Sequence, residues 1–323
     1  MPLFSKPRPL IALAALVPAV LFLDLSAQEG GSKVFRADTR LVVLHASVVD
    51  KSGHMLTSLN REAFKVYEGK IEQPIKKVTR EDVPVSLGLV IDNSGSMRDK
   101  RKKVEAAALA MVKASNSRDE VTIVNFNDEA FQDVEFTGDT KKMEEGLTRI
   151  DSRGGTAMRD AISTTIDYLK EKGKHDKKVI VVITDGDDNA SSQSMTLERL
   201  VQKAHQSEVL LYMVGLLSEE SKRDAGRAKH ALQILADASG GSASFPKELT
   251  DVEKVTLQIA GEIRNQYIIE YNPVNQNFDG SFRPVRVAVN AAGKPTVRTR
   301  TGYYATPDNP KKSGQQATNT PVR

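Results

Sequence analysis

The run Val179-Ile180-Val181-Val182-Ile183 offers water no polar side, and this constrains the fold more than any other feature of the chain. A strand apolar on both faces has to be covered on both, which is the condition of a parallel sheet held between two layers of helices. Residues 85–91, with Val85, Leu87, Leu89, Val90 and Ile91, read the same way, and further strands are expected over 121–126 and 209–214. Between these runs apolar side chains recur at helical spacing. The segment 103–115 sets Val104, Ala108, Met111 and Val112 on one side, and helices are also expected over 140–150, 157–170, 196–207, 225–239 and 251–263. The predicted fold class is α/β: a doubly wound, mostly parallel sheet flanked by helices, spanning residues 83–263.

Both flanks of that segment have a different texture. Residues 40–50 are strand-like, Lys51-Ser52-Gly53 reads as a turn, and short strands continue to about residue 80. After residue 264, three antiparallel strands are expected over 266–271, 284–290 and 297–304, with Asp279-Gly280 and Ala292-Gly293 as turns. Neither set can bury its apolar side alone. The flanks 28–82 and 264–305 are therefore expected to meet in one small antiparallel β-sandwich, with the α/β segment inserted between them. Residues 306–323, rich in Pro, Lys, Gln, Asn and Thr, are expected to be disordered.

Composition narrows the function classes. Of 323 residues none is Cys, which excludes disulfides, thiolate metal sites and a Cys nucleophile. The net charge is only +4, from 46 basic and 42 acidic residues spread along the chain, and Trp is absent. No nucleic-acid partner is expected from such a distribution. At the N-terminus Lys6 and Arg8 precede an apolar stretch from Leu10 to Leu23, and Leu25-Ser26-Ala27 reads as a cleavage site. We read residues 1–27 as a signal peptide, since a stretch of about 14 residues falls short of the roughly 20 that span a bilayer. The mature chain is expected to have no membrane span and to be exported: periplasmic, secreted or peripheral to the cell envelope.

The chemistry is concentrated where strands end. Asp92-Asn93-Ser94-Gly95-Ser96 leaves the first apolar run with one carboxylate and two hydroxyls, Gly154-Gly155-Thr156 adds a third hydroxyl, and Thr184-Asp185-Gly186 adds a second carboxylate after the run at 179–183. In an open α/β sheet such loops converge at the carboxyl ends of the strands. Asp92, Ser94, Ser96, Thr156 and Asp185 then form a set of five oxygen ligands with no His or Cys. Hard, partly neutral oxygens suit a divalent cation, Mg²⁺ first, with Mn²⁺ or Ca²⁺ as alternatives, and leave room for an outside oxygen. Taken alone, D-x-S-x-S is a short string whose plainest role is a polar Asx turn.

The order of these motifs, strand then D-x-S-x-S then helix, G-G-T opening a helix, strand then T-D-G, resembles the von Willebrand factor type A domain and its metal-ion-dependent adhesion site over residues 83–262. The resemblance implies that Ser94 and Ser96 bind the metal directly through their hydroxyls. It further implies that Thr156 switches between direct and water-mediated contact, and that Asp92 and Asp185 hold the metal directly or through water. The flanks, with Phe64-Lys65-Val66-Tyr67-Glu68 and Gly302-Tyr303-Tyr304, are similar to exported bacterial proteins, best known from acidobacteria, described as von Willebrand type A-related. Its expected function is adhesion-type protein binding, in which a partner's Asp or Glu completes the cation's coordination. A structural role in an envelope complex, with the metal only stabilising the fold, is the alternative.

Other signals are weaker. Asp185-Gly186-Asp187-Asp188-Asn189 has the acid density of a calcium loop, but Ala190 stands where an EF-hand loop needs Gly, and a solvated acidic turn is expected instead. Arg98, Lys100, Arg101, Lys102 and Lys103 crowd the start of the first helix, either as a solvated face or as a patch that steers an acidic partner. His45, His54, His175, His205 and His230 fall into no ligand spacing, and no phosphate-binding or dinucleotide fingerprint is present. Neither an enzyme nor a small-molecule cofactor is expected.

Overall fold

Val42, Leu44, Ala46 and Val48 are buried along β1 (Val42–Val49) while Val43 is exposed, the period of two that suits a strand with one covered face. The computed structural model describes residues 40–148 and 152–307. The predicted signal peptide lies outside the described residues, as does the predicted tail beyond residue 307. Three short strands follow: β2 (Phe64–Glu68), β3 (Ile71–Gln73) and β4 (Ile75–Thr79).

The chain then enters the central sheet through β5 (Val85–Asp92), which is buried along its whole length. Next come α1 (Arg101–Lys113), β6 (Glu120–Phe126), β7 (Ala130–Thr137), α2 (Thr140–Thr148), α3 (Met158–Lys172), β8 (Lys177–Thr184) and α4 (Leu197–Ser207). The segment closes with β9 (Leu210–Gly215), α5 (Lys222–Ser239), β10 (Ala243–Ser244) and α6 (Val252–Arg264). Strand order is β10-β9-β8-β5-β6-β7, parallel except for β7 at one edge. Leu87, Leu89 and Val181 face Val104 and Met111 of α1 and Ile259 of α6. On the opposite face Val90, Ile180 and Val182 meet Ile162 and Ile166 of α3, Leu200 of α4 and Leu232 of α5. This is the predicted doubly wound α/β architecture.

Two strands of this sheet have no counterpart in the sequence reading. Both β7 and β10 are edges, and a strand with one neighbour needs no two-sided apolar run. Phe131 and Gln132 of β7 are accordingly exposed.

Beyond α6 lie β11 (Tyr267–Tyr271), β12 (Phe282–Val289), β13 (Thr296–Arg298) and β14 (Gly302–Tyr304). With the first four strands they build two antiparallel sheets, β13-β1-β11-β4 and β14-β12-β2-β3. Leu44, Val48, Val66, Tyr267, Ile269 and Val287 share the core between them. Each sheet mixes strands from both flanks of the α/β segment. One expectation fails: residues 297–304 are not one strand. β13 pairs with β1 and β14 with β12, so residues 299–301 cross from sheet to sheet. They pass against Gly240, the left-handed C-cap of α5 (φ +91), where an added Cβ would lie 2.5 Å from the Arg300 backbone nitrogen.

The order of the central sheet reverses beside β5, whose neighbours β6 and β8 lie on opposite sides. The register sets Ile91 against Ile183. The loops after β5 and β8 therefore leave the carboxyl edge of the sheet side by side, the usual place for a ligand in such a fold.

Candidate metal centre

Asp92 ends β5 and Asp185 follows the last residue of β8. Adjacent strands in register thus deliver two carboxylates to one place, with 2% and 0% of their surface exposed. The third loop comes from ahead of α3. Its Arg153 N–H donates to the Asn93 carbonyl at 3.0 Å, and the Gly95 N–H donates back to the Gly154 carbonyl at 3.1 Å. On its other side the Thr156 N–H donates to Asn189 Oδ1 at 2.8 Å, and the Asn189 N–H returns to the Thr156 carbonyl at 3.1 Å. Glycine is needed in this loop. Gly154 has φ +73, and a Cβ on it would lie 2.0 Å from Asp128 Oδ2, while Asp128 Oδ1 accepts the Gly155 N–H at 2.8 Å.

Side-chain bonds draw the predicted ligands together. The Ser94 and Ser96 hydroxyls are 3.1 Å apart, and Ser96 donates to Asp185 Oδ1 at 2.8 Å. Asp92 accepts the Ser94 N–H on Oδ1 at 2.8 Å and the Thr184 hydroxyl on Oδ2 at 2.6 Å. Thr156 joins through the backbone of its loop and is itself buried. Asp92, Ser94, Ser96 and Asp185 are thereby linked at the β5/β8 edge, and Thr156 is tied to the loop after β8 through its backbone bonds to Asn189.

Burial lifts the Asp92 carboxyl to about 6; the donors Ser94 and Thr184 pull against that rise, and the Asp185 charge adds to it. Asp185 has a stronger partner. Lys100 Nζ donates to Asp185 Oδ2 at 2.7 Å and lies 2.9 Å from Glu219 Oε2. Burial alone would pull this ammonium down, but the two carboxylates outweigh it and hold Lys100 above the ordinary lysine range.

The donor chemistry fits a hard dication. Among the described residues no group of three or more His, Cys, Asp or Glu side chains is placed to hold a metal. Here only two of the five predicted ligands are acids, and three hydroxyls make up the set. A hydroxyl that donates its proton to a carboxylate here keeps lone pairs that can turn to a cation.

Lys100, Thr184, Asp128 and Asn189 escaped the sequence reading as parts of this site. Thr184 stood in the Thr184-Asp185-Gly186 string, whereas Asp128 and Asn189 act through contacts that no local pattern signals. Lys100 corrects an expectation, since it was grouped with a solvated or steering basic face and is 5% exposed. Arg101 pairs with Glu105 at 2.5 Å, leaving Arg98, Lys102 and Lys103 as the exposed members. The acidic turn after Asp185 is not simply solvated either. The nearly buried Asp188 carboxylate accepts the Arg159 N–H at 2.7 Å at the start of α3 and pairs with its guanidinium at 3.0 Å, and Asp187 pairs with Arg227 at 3.1 Å.

No curated protein matches the chain. Among solved structures it is similar to a protein described as von Willebrand factor type A from Catenulispora acidiphila, at 13% identity over 81% of this chain and 73% of that one, with a TM-score of 0.49. It is also similar to an aerotolerance-related membrane protein from Bacteroides fragilis, at 19% identity over 55% of this chain and 99% of that one, with a TM-score of 0.45. A third is the vWF domain of the type V pili tip protein Mfa5 from Porphyromonas gingivalis, at 12% identity over 56% and 95% of the two chains, with a TM-score of 0.46. Residues 87–187, the stretch that carries all five predicted ligands, match the family model described as von Willebrand factor type A domain.

Proposed function

We propose that this chain is a non-enzymatic binding protein that holds a divalent cation, Mg²⁺ in the first place, and through it captures an acidic side chain of a partner protein. Asp92, Ser94, Ser96, Thr156 and Asp185 would hold the ion. When bound, the cation supplies a Lewis-acidic position that an external carboxylate can fill. The observation that carries this reading is the pair Asp92 and Asp185, buried side by side at the reversal point of the sheet with hydroxyls as their neighbours. Two acids and three neutral oxygens leave a dication little surplus negative charge, which favours an acidic ligand over a neutral one. We take the chain to work outside the cytoplasm, on the strength of the stretch from Leu10 to Leu23. No helix among the described residues is long and apolar enough to cross a membrane.

The test is capture of partners from the envelope fraction of the source cells, with Mg²⁺ or with EDTA, by wild type and by Asp92→Ala. Bridging predicts that EDTA and the substitution each release the partners while the chain stays folded. Mg²⁺ at about 100 times its dissociation constant should add about 2.7 kcal/mol of stability to wild type alone. Partners retained in EDTA, with only the melting temperature lowered, would instead favour a scaffold in which the ion serves the fold.

A further inference from the structure

Lys100 stands immediately ahead of α1, after the short 3-10 turn Gly95–Met97, its N–H bonded to the Met97 carbonyl at 3.0 Å. Its side chain does not stretch out to water as a lysine at a helix start ordinarily does. It turns into the site, and its ammonium lies between the Asp185 side chain, which is fully buried, and the Glu219 side chain, which is 72% exposed. Glu219 ends a second 3-10 turn, Leu217–Glu219, after β9. The ammonium thus joins an acid that belongs to the predicted ligand set to one that does not. Burying a carboxylate costs least where an opposite charge faces it, and the Lys100 ammonium faces Asp185 at 2.7 Å.

Building on the metal reading above, we infer that Lys100 is a resident counter-cation that neutralises Asp185 and so sets the affinity of the site for a dication. With Lys100 in place the carboxylates of Asp92 and Asp185 present one net negative charge to the ion instead of two. The ion is held more weakly than two acids would hold it, and it keeps more of its own charge for an external carboxylate. Glu219 offsets part of the Lys100 charge from the solvent side, where water and salt screen its effect. Substituting the two residues therefore moves cation affinity in opposite directions.

The experiment is calorimetric titration of the full chain with Mn²⁺ and with Mg²⁺, alongside melting temperatures with and without each ion. Lys100→Met, close in length but uncharged, should bind Mn²⁺ at least about tenfold more tightly than wild type. Its melting temperature should fall without the ion, because Asp185 is left buried and unpaired, and rise more than wild type's when the ion is added. Glu219→Gln, a change at the surface that leaves the fold intact, should bind Mn²⁺ about two- to threefold more weakly, an effect that shrinks as salt is raised. A Lys100→Met chain with unchanged or weaker affinity, or one destabilised equally with and without the ion, overturns the inference. Should Lys100→Met not fold, unchanged or tighter binding by Glu219→Gln overturns it as well. A wild-type chain that takes up neither ion removes the metal reading itself, and this inference with it; uptake by wild type with the wrong response in the variants removes only the inference.

Discussion

Buried carboxylates stand at both edges of the central sheet, and they are satisfied in different ways. At the amino edge, ahead of and at the start of β6, Asp119 accepts the Val85 and Asn116 N–H groups, each at 2.9 Å, and a two-pronged contact from the Arg264 guanidinium. Beside it Glu120 accepts the Ser86 hydroxyl at 2.7 Å and the Lys174 N–H at 2.6 Å. At the carboxyl edge Asp92 and Asp185 lean on the hydroxyls of Thr184 and Ser96, with one backbone N–H and one ammonium besides. Every donor to Asp119 is an amide or a guanidinium with no lone pair to offer, so this acid has no bond it can trade for one to a cation. Hydroxyls are donors and acceptors at once, so the carboxyl edge can exchange its internal bonds for bonds to an ion. Burial of an acid thus says little about a site; the nature of its donors decides.

The largest effect that could break this contrast is at Asp119. Asp119→Ala leaves two backbone N–H groups without their acceptor and the half-buried Arg264 with only Asp82 and the Val83 carbonyl, and urea unfolding should show a loss of about 3–5 kcal/mol. Because Asp119 has no hydroxyl among its donors, the loss should be the same with and without Mg²⁺; rescue by Mg²⁺ would erase its distinction from Asp92 and Asp185.

A second, pH-dependent effect belongs to the same edge. Lys177, at the start of β8, donates its ammonium to the Ile263 carbonyl in the last turn of α6. Burial, with the Arg264 charge adding to it, pulls this lysine from 10.5 to about 7. The unfolded chain keeps that proton up to the ordinary lysine value while the folded chain sheds it near 7, so between about pH 7 and 10.5 the unfolded state binds more protons. Stability should therefore rise with pH across that window, and the penalty is complete below it. Lys177→Met should flatten the rise, by a few kcal/mol at most; an unchanged pH profile would show that the amino edge is wetter than its burial implies.

The smallest effect sharpens the carboxyl edge. Arg98, Lys102 and Lys103 are exposed beside the site, and replacing all three with Gln should alter stability by no more than about 0.5 kcal/mol. The association rate of an acidic partner, followed in a stopped-flow instrument at several salt concentrations, should fall and lose salt sensitivity if these charges steer it.

The parts of the molecule legible in the sequence are those whose cause is local. Val179 to Ile183 announced a strand covered on both faces because each of its side chains is apolar, and the helix of Val104, Ala108, Met111 and Val112 followed from spacing alone. Asp92, Ser94, Ser96, Thr156 and Asp185 were legible as a group because each lies at the end of such an element. What stayed hidden depends on partners distant in the chain. β7 and β10 are edge strands with mixed faces, and the break between β13 and β14 arises because each fills a different open edge. Lys100 was obscured by its neighbours: in a run of basic residues nothing local marks the one that turns inward to an acid 85 positions away.

The interleaving of the sandwich strands has a consequence for assembly order. Pairing Leu44 with Ile269 closes a loop that contains the entire α/β segment, and the entropic cost of closure grows with the length of flexible chain enclosed. Once that segment is folded its two ends are already neighbours, with Arg264 bound to Asp82 at 3.0 Å and to the Val83 carbonyl at 3.4 Å. The long loop then behaves as a short one. A folded α/β segment therefore lowers the entropic cost of pairing the outer strands, because it holds their attachment points together.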